Sequence, residues 1–411
     1  MHYNISGACR LRVIGWLLGL TTAVWGGACG ADLPTAPSTT TTSSATGPQA
    51  NSGCPVGAIN IPAGDGIQNA IDAHGGYTTF CLEAGTHAVT AAITPKTGDI
   101  FVGEAGAVLD GSGWTTADRD QGAFGAHSQD IDYVTIRNLI IRRMPQKGIQ
   151  ASADGATGWT IENNEIAWNQ HTGVSAPRGS IVRNNHIHHN ATGGYSAYRA
   201  DGTLFEGNEI AFNGSEQKIV GALNVTFRGN FVHDNAADGI WYDTDNTGSL
   251  IEGNHVENNG RDGIAYEVSG KAVIRNNRIH GSGGSAILIS TSKDVEIHGN
   301  ILEDNFRGIQ YFLNCGVVGR SGIGVDLANV DTSGNTITVG NRSGALANGF
   351  VYRADCPATQ AALYVGGARN LRFDRNRYTV PSPGRYWMWG GVKNWSEWQA
   401  VPQDLMGAVN Q

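Results

Sequence analysis

Seven short stretches of this chain end on asparagine at nearly regular intervals: "IENN", "VRNN", "FEGN", "FRGN", "IEGN", "IRNN" and "IHGN". They close at Asn164, Asn185, Asn208, Asn230, Asn254, Asn277 and Asn300, with spacings of 21, 23, 22, 24, 23 and 23 residues. Five residues further on stands a second asparagine, Asn169, Asn190, Asn213, Asn235, Asn259 and Asn305, with Ser282 in its place once. Between them apolar residues alternate over short runs, and helical periodicity is absent. A period in the low twenties with this patterning is one turn of a parallel β-solenoid per repeat. The asparagines read as structural: Asn tolerates the left-handed backbone of a turn, and its amide can bond along a stack of equivalent turns. Fifty-eight glycines among 411 residues fit a chain that turns this often.

A solenoid converts spacing into distance, because equivalent residues of successive coils are ladder neighbours about 4.8 Å apart. We align the coils on the residue that opens one strand of each: Gly148, Gly173, Gly194, Gly214, Gly239, Gly263, Ala286 and Gly308. The next residue is usually apolar and faces inward, so the second and fourth residues face outward. The fourth-position column then reads Ser152, Pro177, Tyr198, Lys218, Asp243, Glu267, Ser290 and Phe312. Glu216 and Trp241 stand in the second-position column, Asp245 follows Asp243 by two residues, and Arg199 adjoins Tyr198. Only 16% of the chain is charged, so this gathering on one face makes it the candidate site. Asp243 and Glu267 should stand one rung apart, with carboxyls on the order of 5 Å from each other. A retaining glycosidase needs about that separation. Like charges this close push one pKa up, while Lys218 would hold Asp243 ionised. Trp241 offers a flat apolar surface for a sugar ring. Short loops around 194–199 and 244–249 suggest an open groove and a polymeric substrate.

The ends of the chain carry other instructions. Arg10 and Arg12 precede an apolar run too short to span a bilayer, closing on "GGACGA", so residues 1–31 read as an export signal. Cys29, between Ala28 and Gly30, is either a lipidated cysteine that tethers the protein to a membrane or part of a signal removed on simple secretion. Residues 32–53 form a Ser/Thr/Pro-rich linker, 54–380 the solenoid, and 381–411 a cap holding four tryptophans between Trp387 and Trp398. Four cysteines remain in an oxidising compartment, and the local pairings Cys54–Cys81 and Cys315–Cys356 are expected. An amphipathic pattern at 67–74 should form a helix over the N-terminal end of the solenoid. The net charge of −8 argues against nucleic acid as a partner. The folded part is expected to work as a monomer on a polysaccharide or oligosaccharide.

From about residue 57 to 380 the sequence resembles the right-handed parallel β-helix proteins of the pectate-lyase-like superfold. The resemblance implies an all-β, single-stranded right-handed parallel β-helix; that fold hosts lyases, hydrolases, epimerases and adhesins. More locally, "GIWYDTDN" followed one coil later by "GIAYEVS" resembles β-helix glycoside hydrolases of the β-xylosidase type. That second resemblance covers about 30 residues and implies Asp243 as nucleophile and Glu267 as acid/base.

Three functional classes stay open. One is a retaining glycoside hydrolase working through Asp243 and Glu267 without a cofactor. Another is a uronate lyase or epimerase with Lys218 or Tyr198 as base and Arg199 on the substrate carboxylate; Asp243, Asp245 and Glu267 would then hold Ca²⁺. The third is a non-catalytic surface module that binds glycan. Asp238 and Asp262 stack just before the strand and could line the groove edge. The His/Glu column through His188, His233, Glu257, His280 and Glu303, and the run His186–His189, read as surface ladders rather than metal sites.

Overall fold

The repeated asparagines do stack, and the coils stack with them. A computed structural model describes residues 53–125, 130–151, 155–315, 326–340 and 348–410. The export signal, Cys29, the linker up to residue 52, and Ser152 lie outside the described residues. The rest folds into three long sheets of 13, 13 and 12 strands, into which each coil sends one strand in turn. Pairing is parallel throughout except for one antiparallel pair at the end of the third sheet, Trp387–Met388 with Val392–Lys393. Most strands are only three or four residues long, as expected where a turn follows each short apolar alternation.

The interior is built in columns. Ile136, Ile161, Val182, Phe205, Phe227, Ile251, Ile274 and Ile297 rise through the first sheet, all fully buried. Asparagines line two corners of the same interior. Asn208 Nδ2 donates to Asn230 Oδ1 at 2.9 Å, and Asn230 Nδ2 to Asn254 Oδ1 at 3.0 Å. The first column extends beyond the sequence pattern, through Asn335 and Asn376 to Asp404, whose carboxylate accepts the last amide at 2.9 Å. Longer coils of 35 and 41 residues hide those two steps from a search at constant spacing. Glycine opens the third-sheet strands for lack of room: a Cβ on Gly239 would lie 2.7 Å from Gly263 O and 2.8 Å from Asn259 Nδ2.

Both ends are closed. The N-terminal helix, Ile67–Asp72, turns Ile67 and Ile71 into the core. At the other end Trp387, Trp389 and Trp398 are buried and Trp395 packs against them. The tryptophan-rich tail is therefore a plug, as the cap reading requires. A capping box joining Asn394 and Glu397 starts the helix Trp395–Ala400. Strand Ala408–Asn410 then pairs with Arg377–Thr379 and ends the second sheet. The disulfides are Cys54–Cys81 and Cys315–Cys356, with Cα–Cα distances of 5.5 and 5.4 Å. Both fit an exported chain.

Candidate functional site

The site lies on the outer face of the third sheet, on the strands Gly193–Tyr198, Lys218–Val220, Ile240–Asp243 and Ile264–Glu267. Asp243 pairs in register with Glu267, as the coil alignment requires. The same column continues to Ser290 and Phe312 in one direction and to Val220 and Tyr198 in the other. Its order is thus Tyr, Val, Asp, Glu.

Lys218 is displaced by two residues from its expected place. It pairs with Ser196 and stands level with Trp241. The cause is Gln217, which fills the inward position that an apolar residue holds in the other coils. Its Nε2 donates to the carbonyls of Asp238 and Gly239 at 2.9 and 2.8 Å, and its Oε1 accepts from Gly194 N–H. A buried amide can take an apolar position when every polar atom finds a partner. Glu216 shifts with it, to an exposed place in the bend before the strand rather than beside Trp241.

The ion pair survives this shift. Lys218 Nζ reaches Asp243 Oδ2 at 3.0 Å, and Thr244 Oγ1 donates to Asp243 Oδ1 at 2.8 Å. Glu267 has different surroundings. It accepts from Trp241 Nε1 at 2.8 Å. Burial raises its pKa first; the Trp241 N–H opposes that, and the Asp243 charge adds to it. One carboxylate is held by a cation and a hydroxyl, and its rung neighbour is pushed toward the protonated form.

Trp241 is more engaged than a bare stacking surface. Lys218 Nζ lies 4.8 Å and the Arg261 guanidinium 5.8 Å from its ring centroid. Its backbone N–H donates to Tyr195 Oη, which reaches up from inside the solenoid at 3.1 Å. Tyr195 and Gln217 thus brace the segment Asp238–Trp241 where the sheet is thin. Two residue pairs join Lys218–Val220 to Ile240–Asp243, against four between Ile240–Asp243 and Ile264–Glu267.

Asp245 does not stand beside Asp243. Thr244 and Asp245 both take left-handed backbone, with φ of 51° and 61°, so the chain turns the corner and Asp245 is buried. The outward alternation ends with the strand. Among the described residues, Asp243, Asp245 and Glu267 do not bring three ligand atoms within 4.8 Å of one another; the one trio that does is Cys54, Cys81 and Glu104, and both cysteines are in a disulfide. Tyr198 is two rungs from Asp243 and about half exposed. Arg199, left-handed at φ 49°, covers the Tyr198 ring at 5.2 Å.

Asp238 and Asp262 are more central than a groove edge. Asp238 Oδ1 accepts from Asp262 N–H at 3.0 Å, and Asp262 in turn accepts from Ser285 N–H. Burial, then the charge of Asp262, lifts the Asp238 pKa to about 6. Burial raises Asp262 as well. Arg261 Nη1 lies 3.3 Å from Asp238 Oδ2. The sequence reading passed over Arg261, Tyr195 and Gln217. Arg261 falls just before the aligned strand, and the other two occupy inward positions read as plain core.

The histidines form a ladder paired with carboxylates, His188 with Glu165 and the buried His233 with Glu209. His186 and His188 stack at 3.9 Å, while His189, whose Nδ1 lies 2.8 Å from His188 Nδ1, stacks between Trp168 and Phe212.

The family described as right handed beta helix region matches residues 122–246 and 178–321. The molecule is a right-handed parallel β-helix. No curated protein sequence matches it significantly. Among solved structures, the β-helix is similar to the A-module of the mannuronan C-5 epimerase AlgE6 of Azotobacter vinelandii. That match has a TM-score of 0.64 and 21% identity, over 84% of this chain and 93% of that one. The AlgE4 A-module of the same organism matches with a TM-score of 0.55 and 17% identity, over 84% and 92%. The catalytic unit of a GH87 α-1,3-glucanase from Streptomyces thermodiastaticus matches at 0.56 and 14%, over 88% and 69%. At such identities the likeness is one of fold.

Proposed function

We propose that this β-helix is an exported carbohydrate-active enzyme that cleaves glycosidic bonds as a retaining glycoside hydrolase. The observation that carries the reading is the in-register pair Asp243–Glu267 with its opposed surroundings. Asp243, paired with Lys218, is the nucleophile: its carboxylate attacks the anomeric carbon as the glycosidic bond breaks. Glu267, half-buried against Trp241, carries the proton that goes to the leaving oxygen and then takes one from the water that releases the sugar. A rung spacing of about 4.8 Å leaves no room for the extra water of an inverting pair. Similar β-helices include an epimerase module and a glucanase, so the fold accommodates sugar polymers of both chemistries. Export on a lipid-tethered Cys29 would place the enzyme at a cell surface.

The lyase or epimerase reading is weaker at its proposed bases. Lys218 Nζ is already engaged, 3.0 Å from Asp243 Oδ2 and 4.8 Å from the centroid of the Trp241 ring. Ca²⁺ would need Asp243, Asp245 and Glu267 together, and Asp245 has turned into the wall. Asp243→Asn and Glu267→Gln test the assignment. Each should abolish turnover of a glycan panel while moving the melting temperature by only a few degrees. Full activity in either variant would show that the pair is structural.

A further inference from the structure

Arg261 has no part in the chemistry above, yet it reaches the same indole. Its side chain is 57% exposed, while that of its counterion Asp238 is 1% exposed. A guanidinium carries five N–H donors, and the 3.3 Å contact with Asp238 Oδ2 engages only Nη1. Lys218, the other cation on Trp241, is already paired with Asp243. Asp238 is a poor permanent partner. It is buried, faces Asp262, Glu267 and the Tyr195 hydroxyl besides Arg261, and these surroundings keep it partly protonated near pH 6. A carboxylate arriving from the open side would meet the same guanidinium without that burial cost and in the bidentate geometry that Arg favours.

We propose that Arg261 binds the carboxylate of an acidic sugar, a uronate unit lying along Trp241, and that Asp238 is the exchangeable counterion, taking a proton from solvent when the uronate replaces it. This rests on the reading that the third-sheet face receives a glycan, and it names the class of glycan.

Calorimetric titration tests it without turnover, using the Glu267→Gln protein. The probes are uronic-acid oligosaccharides and their carboxyl-reduced, neutral counterparts. The uronides should bind at least about tenfold more tightly, the range of one charge-assisted contact. Adding Arg261→Gln should erase that preference, and Arg261→Lys should restore it only in part. Paired buffers of different ionisation enthalpy should show proton uptake near neutral pH that disappears with Asp238→Asn. Equal affinity for reduced and unreduced probes, no binding of any uronide, or a preference unchanged by Arg261→Gln would overturn the proposal. Retaining hydrolysis of neutral glycans together with any of those results would leave the hydrolase reading standing. An Arg261-dependent uronide preference with no hydrolysis of any glycan would do the reverse.

Discussion

Asp243 and Glu267 are chemically alike and one rung apart, and what separates them is their company. A lysine and a threonine hydroxyl hold the first as an acceptor of hydrogen bonds, while burial drives the second toward its neutral form. Asp238 shows the same physics without a catalytic task. Its folded pKa of about 6 lies above the ordinary 3.8, so between those values the native state holds the extra proton. The stability contributed by this proton should therefore be fully present below about pH 4, fall as pH rises to about 6, and be absent above. Asp238→Asn removes this component, so thermal melts of the variant should lose less between pH 4 and 7 than those of the wild type. The expected difference is on the order of 1–3 kcal/mol. A pH profile identical to the wild type would mean that Asp238 is ionised in the native protein throughout.

At the scale of the strand, the site sits where only two residue pairs join neighbouring strands of the third sheet, and it is braced from beneath. Tyr195 Oη bonds the Trp241 N–H, and Gln217 bonds the carbonyls of Asp238 and Gly239. Tyr195→Phe leaves a buried N–H without that partner and should cost about 1–3 kcal/mol of stability. It should also lower kcat by roughly tenfold, because the indole that bonds Glu267 loses its anchor. A stability loss with kcat unchanged would limit Tyr195 to packing. These strands also show where sequence reasoning reached its limit. The Asp243–Glu267 register was legible, because both coils open with Asp-Gly-Ile and the side-chain period of a strand is two. Lys218 was misplaced because Gln217, a polar residue in an inward position, makes its strand look as if it began elsewhere. Asp245 was misplaced because alternation cannot be carried past Asp243 into two left-handed residues. Arg261 approaches from the neighbouring bend, and one-column periodicity carries no information about that.

Across the whole molecule, the regular asparagine spacing disclosed the solenoid, and the same ladders couple its coils. Asn230 accepts from Asn208 and donates to both Phe205 O and Asn254. Asn230→Ala would orphan buried groups on both neighbouring coils and should cost on the order of 1–3 kcal/mol. Unfolding followed by circular dichroism should remain a single transition at a lower midpoint, since the described residues from 53 onward form one compact unit. Two separated transitions would show instead that the coils on either side depend on Asn230 itself to unfold as one unit. What the ladder holds in place is the face on which Asp243 and Glu267 meet.

The central claim is that this pair works by double displacement. Product configuration followed by nuclear magnetic resonance during turnover tests it most directly. The account predicts a first-formed sugar with the anomeric configuration of the substrate, activity indifferent to a chelator, and no ultraviolet absorbance from an unsaturated uronide. Inverted configuration, or a chelator-sensitive rise in that absorbance on a uronate polymer, would contradict it.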